Sequence, residues 1–361
     1  METQTYVIAA GGTAGHVVPA LAVADALRAD GAQPPRVVFI GGERAERDLV
    51  PAAGYELRVI AVEGLSRTNP LKALRALVKA AGAVVGAWRI LGQLRPAAVM
   101  GGGGYVAGPV GLAAVLRRVP LVLTEADSHL GVANRMLAPF ARRVCLAFPL
   151  DGRDGERYRV TGRPVPAPAA DRAAARERFG IAAGDRVLVV FGGSLGARTI
   201  NEAAVEAFAA AGDFHVLHAA GERDLPELRE RLAQAPAGHY DLRGFIDGFG
   251  DALLAGDLVV ARAGGSIFEV AAAGRPAILV PYPYAAGDHQ AANARWMERA
   301  GAAIVVPDGE LTAARLAQVV TALLDDPARL AAMATASRGL ARPDAAREIA
   351  DELVHAGRGA P

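Results

Sequence analysis

The fold of this chain is decided by two stretches that repeat one local pattern. The first is Tyr6–His16, YVIAAGGTAGH, and the second is Val187–Arg198, VLVVFGGSLGAR. In each, an apolar run ends in Gly-Gly-Thr/Ser-x-Gly and a helical pattern begins. A buried strand that enters a helix through glycines leaves N–H groups unpaired at the positive end of the helix dipole, which suits a phosphate. Because the pattern occurs twice, it predicts an α/β protein with two Rossmann-like domains whose parallel sheets face each other across a cleft.

The rest of the sequence alternates strand and helix patterns in both halves, which is typical of parallel sheets with helical crossovers. Strands are predicted at 5–10, 36–40, 57–62, 97–100, 120–124, 143–147, 187–191, 214–218, 240–243, 257–260, 277–280 and 303–306. Helices are predicted at 17–30, 70–94, 106–117, 129–139, 197–211, 224–234, 247–255, 265–273, 288–300, 312–323 and 326–339.

A proline-rich segment at 160–168 predicts the boundary between the domains, since its prolines cannot continue a helix or a central strand. We therefore expect an N-terminal domain at 1–160 and a C-terminal domain at 161–342. A last helix at 343–357 is expected to pack back on the first domain.

Composition narrows the class of protein. The 361 residues carry a net charge of +1, which gives no general argument for nucleic acid as a partner. The single cysteine, Cys145, excludes an internal disulfide and fits a reducing compartment. No signal peptide and no transmembrane stretch is evident, so a cytoplasmic protein is expected.

In the first half, the chemically unusual residue is His16, which follows the first glycine turn. A histidine at the ligand-binding edge of an α/β sheet can accept a proton near neutral pH, but a surface or capping histidine would look the same. A second cluster, Gly101–Gly104, leaves N–H groups free to bind a diphosphate. Glu125 and Asp127 end another strand and serve either as base or sugar ligands or as helix caps, and Asn134 follows within reach of the same edge.

In the second half, Glu269 follows a glycine turn in the first turns of a helix. It suits the two hydroxyls of a ribose, or it is simply a favourable charge at a helix N-terminus. The polar run Asp288–Asn293 suits a sugar, although a polar helix face would look the same. The histidines are scattered and no Asp-x-Asp occurs, so no metal site is expected.

The helical run at 70–91 combines an apolar stripe with lysines, arginines and Trp88. This pattern is typical of a helix that lies on a membrane surface, and it is also compatible with an ordinary helix packed against a core.

Four motifs together resemble the MurG family. They are Gly11–His16 with Pro19, Gly103–Gly108, Gly192–Arg198 with Asn201, and Glu269–Pro276, and the match covers nearly the whole chain. The resemblance implies an inverting, metal-independent glycosyltransferase of GT-B fold without a cofactor. Such an enzyme moves N-acetylglucosamine (GlcNAc) from UDP-GlcNAc to the C4 hydroxyl of the muramyl unit of undecaprenyl-linked lipid I. It makes lipid II of peptidoglycan as a peripheral protein on the cytoplasmic face of the membrane, which the segment 70–91 would contact.

The resemblance also implies roles for individual residues. His16 is the first candidate for the catalytic base and Glu125 the second. Donor binding is implied for Thr13, Gly15, Arg163, Gly193, Ser194, Gly196, Phe245, Ile246, Glu269 and Gln290. Acceptor binding is implied for Gly12, Gly103, Gly104, Tyr105, Asp127 and Asn134. Within the donor set, Phe245 and Ile246 would hold uracil, Glu269 the ribose and Gln290 the sugar.

The chain departs from the family pattern at Thr124–Asp127, at Pro166 and at Gln290–Ala291. Three alternatives therefore stay open. They are a related GT-B transferase with another acceptor or another UDP-sugar, an enzyme like UDP-GlcNAc 2-epimerase, and a nucleotide-sugar-binding or membrane scaffold protein without catalysis. An NAD-dependent oxidoreductase is disfavoured because the dinucleotide fingerprint and its acidic residue are absent.

Overall fold

The structure is a computed structural model that describes residues 4–29, 33–62, 70–166, 171–193, 196–210, 213–233 and 239–359. Of residues 70–80 and 286 it describes the backbone only. The chain divides into two units. Unit 1 comprises residues 1–166 and 342–361, and unit 2 comprises residues 167–341.

Unit 1 is built around a parallel sheet. Its strands are β1 (Thr5–Ala9), β2 (Arg36–Gly41), β3 (Glu56–Val59), β4 (Ala98–Gly101), β5 (Leu121–Glu125), β6 (Arg143–Leu146) and β7 (Tyr158–Val160). Its helices are α1 (Ala14–Ala29), α2 (Ala45–Ala52), α3 (Pro70–Leu94), α4 (Ala107–Leu116), α5 (Val132–Leu137) and the C-terminal α14 (Ala345–Gly357).

Unit 2 repeats this plan. Its strands are β8 (Val187–Phe191), β9 (His215–Ala219), β10 (Tyr240–Arg243), β11 (Leu258–Ala261), β12 (Ala277–Leu279) and β13 (Ala303–Val305). Its helices are α6 (Arg172–Arg178), α7 (Arg198–Phe208), α8 (Leu225–Leu232), α9 (Phe249–Ala255), α10 (Ile267–Ala272), α11 (His289–Arg299), α12 (Ala313–Leu324) and α13 (Pro327–Leu340).

Strand order decides where each unit can bind a ligand. The sheet of unit 1 has the order β3-β2-β1-β4-β5-β6-β7, and that of unit 2 has the order β10-β9-β8-β11-β12-β13. In unit 1, β2 and β3 are added on one side of β1, and β4 is then added on its other side. In unit 2 the same change of side occurs at β8, with β9 and β10 on one side and β11 on the other. Ligands of open parallel sheets bind at the carboxyl ends of the strands beside such a change of side. Both quoted glycine turns lie at these points.

The central strands form because their side chains are apolar on both faces. Val7, Ile8 and Ala9 in β1 and Val187–Val190 in β8 have no solvent exposure. Helices cover both faces of a parallel sheet, so a continuous apolar run is stable there and an alternating one is not required.

Helix α14 packs on α1 in unit 1. Ile349 and Leu353 are buried in the same apolar cluster as Tyr6. Glu352 receives hydrogen bonds from Arg143 Nε at 2.7 Å and from Arg159 Nη1 at 2.8 Å, which tie the helix to β6 and to the edge strand β7. Although burial alone would raise it, these guanidinium groups hold the pKa of Glu352 below its usual value.

Among the strands and α-helices given above, three were not predicted from the sequence: α2, β7 and α6. Each is short, and neither α2, which contains Pro51, nor the charged α6 has a long apolar stripe. All twelve predicted strands are present, with ends that shift by a few residues.

Candidate active site

In unit 1 the loops after β1 and β4 interlock at the switch point. Gly104 has φ +76°, and a Cβ at this position would lie 1.9 Å from the carbonyl oxygen of Gly11. Only glycine therefore allows the two loops to approach so closely. Gly12 lies beside the ring of Tyr105, which is 3.4 Å from the position a Cβ would take. The predicted acceptor residues Gly12, Gly104 and Tyr105 thus form one surface.

His16 lies in the first turn of α1 and joins this surface. Its Nδ1 is 3.2 Å from Thr13 Oγ1, and its ring packs against Gly103, where a Cβ would lie 2.7 Å from His16 Cδ2. Burial, followed by the positive charge of Arg163, lowers the pKa of His16, while Asp127 acts in the opposite direction. The imidazole is therefore neutral at pH 7 and able to accept a proton.

Arg163 approaches the same place from the segment after β7. Its Nη2 donates to the carbonyl oxygen of Gly15 at 2.5 Å. A cavity beside this contact is lined by His16, Glu125 and Arg163 on its polar side and by apolar side chains that include Met100. Two predicted donor residues, Gly15 and Arg163, thus lie in unit 1 next to His16.

Glu125 is buried, and its carboxylate receives three hydrogen bonds. They come from the backbone N–H of Asp127 at 3.1 Å, from that of Gly131 at 2.8 Å, and from Asn134 Nδ2 at 2.9 Å. Burial nevertheless raises the pKa of Glu125 above its ordinary value. These contacts order the loop after β5, and the same amide nitrogen of Asn134 also donates to the carbonyl oxygen of Thr124. This arrangement fits a residue that holds Asp127 in place better than it fits a proton acceptor.

In unit 2 the corresponding loop follows β8. Gly196 has φ +73°, and a Cβ there would lie 2.1 Å from the carbonyl oxygen of Ala220. That oxygen accepts a hydrogen bond from Asn201 Nδ2 in α7 at 2.9 Å. Gly193 faces open space. The predicted diphosphate residue Ser194 lies outside the described residues.

The predicted uracil residues differ in exposure. Phe245 is 67% exposed, whereas Ile246 is 2% exposed and packs with Leu217 and Ala252. The side chain of Ile246 therefore belongs to the core, and only its main chain is available to contact a base. Glu269 lies in the first turn of α10 and is half-buried.

Gln290 is oriented by the segment after β12. Its Oε1 accepts a hydrogen bond from the backbone N–H of Tyr282 at 2.9 Å. Arg262, a buried residue directly after β11, is not among the predicted site residues. Its Nη1 donates to the carbonyl oxygen of Val280 at 3.1 Å and to Asp308 Oδ1 at 2.5 Å, which fixes the ends of β11 and β12.

Two family models match most of the chain. The glycosyltransferase family 28 N-terminal domain matches residues 6–146, and the glycosyltransferase family 28 C-terminal domain matches residues 187–349. Two relatives, from Moorella thermoacetica and Halorhodospira halophila, are 43% and 42% identical to this chain. The matches cover 96% and 98% of this chain and 98% and 100% of the relatives. Both relatives are named as UDP-N-acetylglucosamine–N-acetylmuramyl-(pentapeptide) pyrophosphoryl-undecaprenol N-acetylglucosamine transferases.

The chain belongs to the MurG family. A solved structure of Acinetobacter baumannii MurG is 32% identical, with a TM-score of 0.77 over 98% of this chain and 99% of that one. The predicted GT-B fold of this MurG family member is thereby confirmed. A solved UDP-GlcNAc 2-epimerase from Neisseria meningitidis, at 13% identity and a TM-score of 0.67 over 97% of this chain and all of the other, shares the fold alone.

Across the described ranges, no three His, Cys, Asp or Glu side chains are grouped so that they could hold a metal ion. The first glycine loop leads into the N-terminus of α1, and the described residues that follow β8 lead into the N-terminus of α7.

Proposed function

We propose that this chain moves GlcNAc from UDP-GlcNAc to the C4 hydroxyl of the muramyl unit of lipid I and thereby makes lipid II. The observation that carries the proposal is the position of His16 against the interlocked glycine loops of unit 1, in a chain whose unit 2 repeats the glycine loop. Relatives that are more than 40% identical over their full length are named for this transfer. The matched glycosyltransferase domains support the same class of reaction.

The proposed donor site lies in unit 2. Gly193 and Ser194 would bind the diphosphate through backbone N–H groups together with the N-terminus of α7. Gly196, whose N–H donates to the carbonyl oxygen of Gly193, would shape this loop. The exposed ring of Phe245 and the main chain of Ile246 would hold uracil. Glu269 would accept hydrogen bonds from the ribose hydroxyls, and the amide NH₂ of Gln290 would bind the sugar. Donor binding by Thr13, Gly15 and Arg163, which lie in unit 1, stays a prediction.

The proposed acceptor site lies in unit 1. Gly103 and Gly104 would bind the lipid diphosphate through backbone N–H groups at the switch point. Gly12, whose own N–H donates to Glu46 Oε2, would line the same site. Tyr105, Asp127 and Asn134 would contact the acceptor beside them.

In the proposed reaction His16 acts as the general base. If its Nδ1–H donates to Thr13 Oγ1, Nε2 carries the lone pair that takes the proton from the C4 hydroxyl. The acceptor oxygen attacks C1 of GlcNAc, the bond from C1 to the β-phosphate oxygen breaks, and UDP leaves with the electron pair. In this proposal the glycine loop and the dipole of α7 stabilise the departing charge, without a metal or cofactor.

The proposal is tested with UDP-GlcNAc labelled in the sugar, with and without lipid I. We expect a labelled lipid-linked disaccharide and a release of UDP that requires lipid I. Release of UDP or isomerised sugar without acceptor would instead indicate an enzyme of the epimerase type. Binding of UDP-GlcNAc with no release under either condition would leave only a binding protein.

We further propose that unit 1 contacts the inner surface of the membrane through α3 and α4. In the described part of the chain, no helix is both long and apolar enough to cross a bilayer. Trp88 is 44% exposed, and Leu112 and Leu116 on α4 are 42% and 61% exposed. The guanidinium carbon of Arg117 lies 3.8 Å from the ring centre of Trp88, which places a positive charge within this apolar surface. The predicted basic and apolar side chains at 71–79 lie outside the described side chains.

A double variant tests this contact. Trp88→Ala with Leu116→Ser is expected to weaken binding to vesicles of anionic lipid by about tenfold, because it removes two apolar side chains from the interface. Sedimentation with vesicles measures the change. Tyr284→Ser, which removes an exposed aromatic ring from unit 2, serves as the control. Equal binding of the double variant and the control would contradict the proposed surface.

A further inference from the structure

Glu46 is a fully buried carboxylate in the first turn of α2, and the proposed reaction gives it no role. Its Oε1 accepts hydrogen bonds from the backbone N–H of Gly42 at 2.8 Å and from the hydroxyl of Tyr105 at 2.8 Å. Its Oε2 accepts one from the backbone N–H of Gly12 at 2.8 Å. A single side chain thus binds three donors from three separate loops.

These loops follow three strands that are neighbours in the sheet. Gly42 follows β2, Gly12 follows β1 and Tyr105 follows β4, and the order of these strands in the sheet is β2-β1-β4. The carboxylate therefore spans the switch point from one side to the other. Its partners include two of the residues proposed to bind the acceptor, Gly12 and Tyr105.

The packing around Glu46 leaves little freedom for an alternative arrangement. A Cβ on Gly42 would lie 2.0 Å from the hydroxyl oxygen of Tyr105, and a Cβ on Gly11 would lie 2.7 Å from Glu46 Oε1. The guanidinium carbon of Arg44 lies 4.9 Å from the centre of the Tyr105 ring and covers it from outside. Tyr105 is thereby held at its hydroxyl by Glu46 and at its ring by Arg44.

A buried carboxylate is costly unless its oxygens are satisfied. Burial alone would raise the pKa of Glu46, but hydrogen bonds from Gly12, from its own backbone, from Tyr105 and from Gly42 lower it. The groups that stabilise the charge are thus N–H and O–H donors, most of them in the loops around the proposed acceptor site. A carboxylate held in this way makes the geometry of those loops depend on it.

We propose that Glu46 is a positioning residue that sets the acceptor-binding geometry by holding the Gly12 amide and the Tyr105 hydroxyl on one carboxylate. The inference rests on the proposed function only in naming the acceptor as a lipid-linked diphosphate sugar. Glu46 touches neither substrate and acts through Gly12 and Tyr105.

The test compares Glu46→Gln with Glu43→Gln. The glutamine side chain keeps the shape of the glutamate, but its NH₂ group cannot accept the hydrogen bond that one carboxylate oxygen accepts now. Because a buried donor is left without a partner, we expect the KM for lipid I to rise about tenfold. The affinity for UDP should change far less than the KM for lipid I, since the proposed contacts to uracil, ribose and diphosphate lie in unit 2. Glu43 is exposed, precedes the same helix and carries the same charge, so its variant should behave as the wild type.

Tyr105→Phe supplies a second, milder variant that removes one of the three hydrogen bonds. We expect a smaller rise in the KM for lipid I. In the double variant with Glu46→Gln, we expect an effect below the product of the two single effects, since both remove the same contact. An unchanged KM for lipid I in both single variants, or an equal loss of UDP affinity in Glu46→Gln, would overturn the proposal.

Hydrogen exchange separates failure of this inference from failure of the proposed function. In Glu46→Gln, peptides that cover residues 9–16 and 101–107 should exchange faster than in the wild type, whatever the reaction is. If the wild type makes no lipid-linked disaccharide but exchange still changes in this way, the proposed function fails and the loop contact stands. Unchanged exchange in both peptides would overturn the positioning role itself.

Discussion

His16→Ala is expected to lower the rate of GlcNAc transfer by about one hundred- to ten-thousand-fold, the range found when a general base is removed. The expected loss follows from the surroundings of His16. The imidazole is held by Thr13 and Gly103 at the edge of the acceptor surface, and its lowered pKa leaves it unprotonated at neutral pH. Single-turnover rates with saturating lipid I and UDP-GlcNAc measure the loss, since they report chemistry separately from binding.

The pH profile of the wild type gives a second measurement. Burial and the charge of Arg163 lower the pKa of His16, and a base is active only while it is unprotonated. Activity should therefore persist as the pH falls to the ordinary histidine pKa of about 6.5 and decline only below it. The residual rate of His16→Ala should lack that decline.

His355→Ala is the matched control, because His355 is an exposed histidine of α14 in the same unit and the proposed reaction gives it no role. Its rate and its pH profile should equal those of the wild type. A His16→Ala enzyme with near-normal turnover would remove His16 as the base. Glu125→Gln would then be the next variant to measure, although three hydrogen bonds already occupy that carboxylate.

The sequence predicts well those features that depend only on neighbouring residues. Each glycine turn follows a buried apolar strand and precedes a helix, and both the strand period and the helix start are properties of neighbouring residues. Because the pattern occurs twice, it predicts two parallel sheets. Gly104 and Gly196 could be placed at ligand edges from the same signal, and the structure shows why only glycine fits at either position.

What the sequence does not predict depends on contacts between distant residues. Glu46 is separated by 34 residues from Gly12 and by 59 residues from Tyr105. No local sequence pattern therefore predicts its three hydrogen bonds. Glu46 also lies on a short helix that contains a proline, for which the pattern is weak. Motif comparison pairs Phe245 with Ile246, yet one side chain is exposed and the other lies in the core. The difference comes from packing, because Ile246 lies in a buried cluster with Leu217 of β9 and Ala252 of α9.

Gly196→Ala is expected to cause the largest change in donor binding. Two costs act together at this position. The backbone has φ +73°, which an alanine adopts only with strain, and the new Cβ would meet the carbonyl oxygen of Ala220 at 2.1 Å. Backbone cannot move aside as a flexible side chain can, so the loop after β8 must shift and its N–H groups must leave the proposed diphosphate site. We expect the affinity for UDP to fall by at least about tenfold, because aligned N–H donors are what bind the phosphates.

Gly180→Ala isolates the part of this effect that comes from φ alone. Gly180 has φ +66° in the same unit, and a Cβ there would meet nothing within 4 Å. Its variant should lose stability by about 1 kcal/mol, the order expected for a left-handed alanine, and keep its affinity for UDP. Calorimetric titration with UDP and thermal unfolding measure the two quantities separately. If Gly196→Ala loses stability as Gly180→Ala does but binds UDP normally, the loop after β8 does not hold the diphosphate. If affinity falls only in Gly196→Ala, the close approach of this loop to Ala220 is what shapes the donor site.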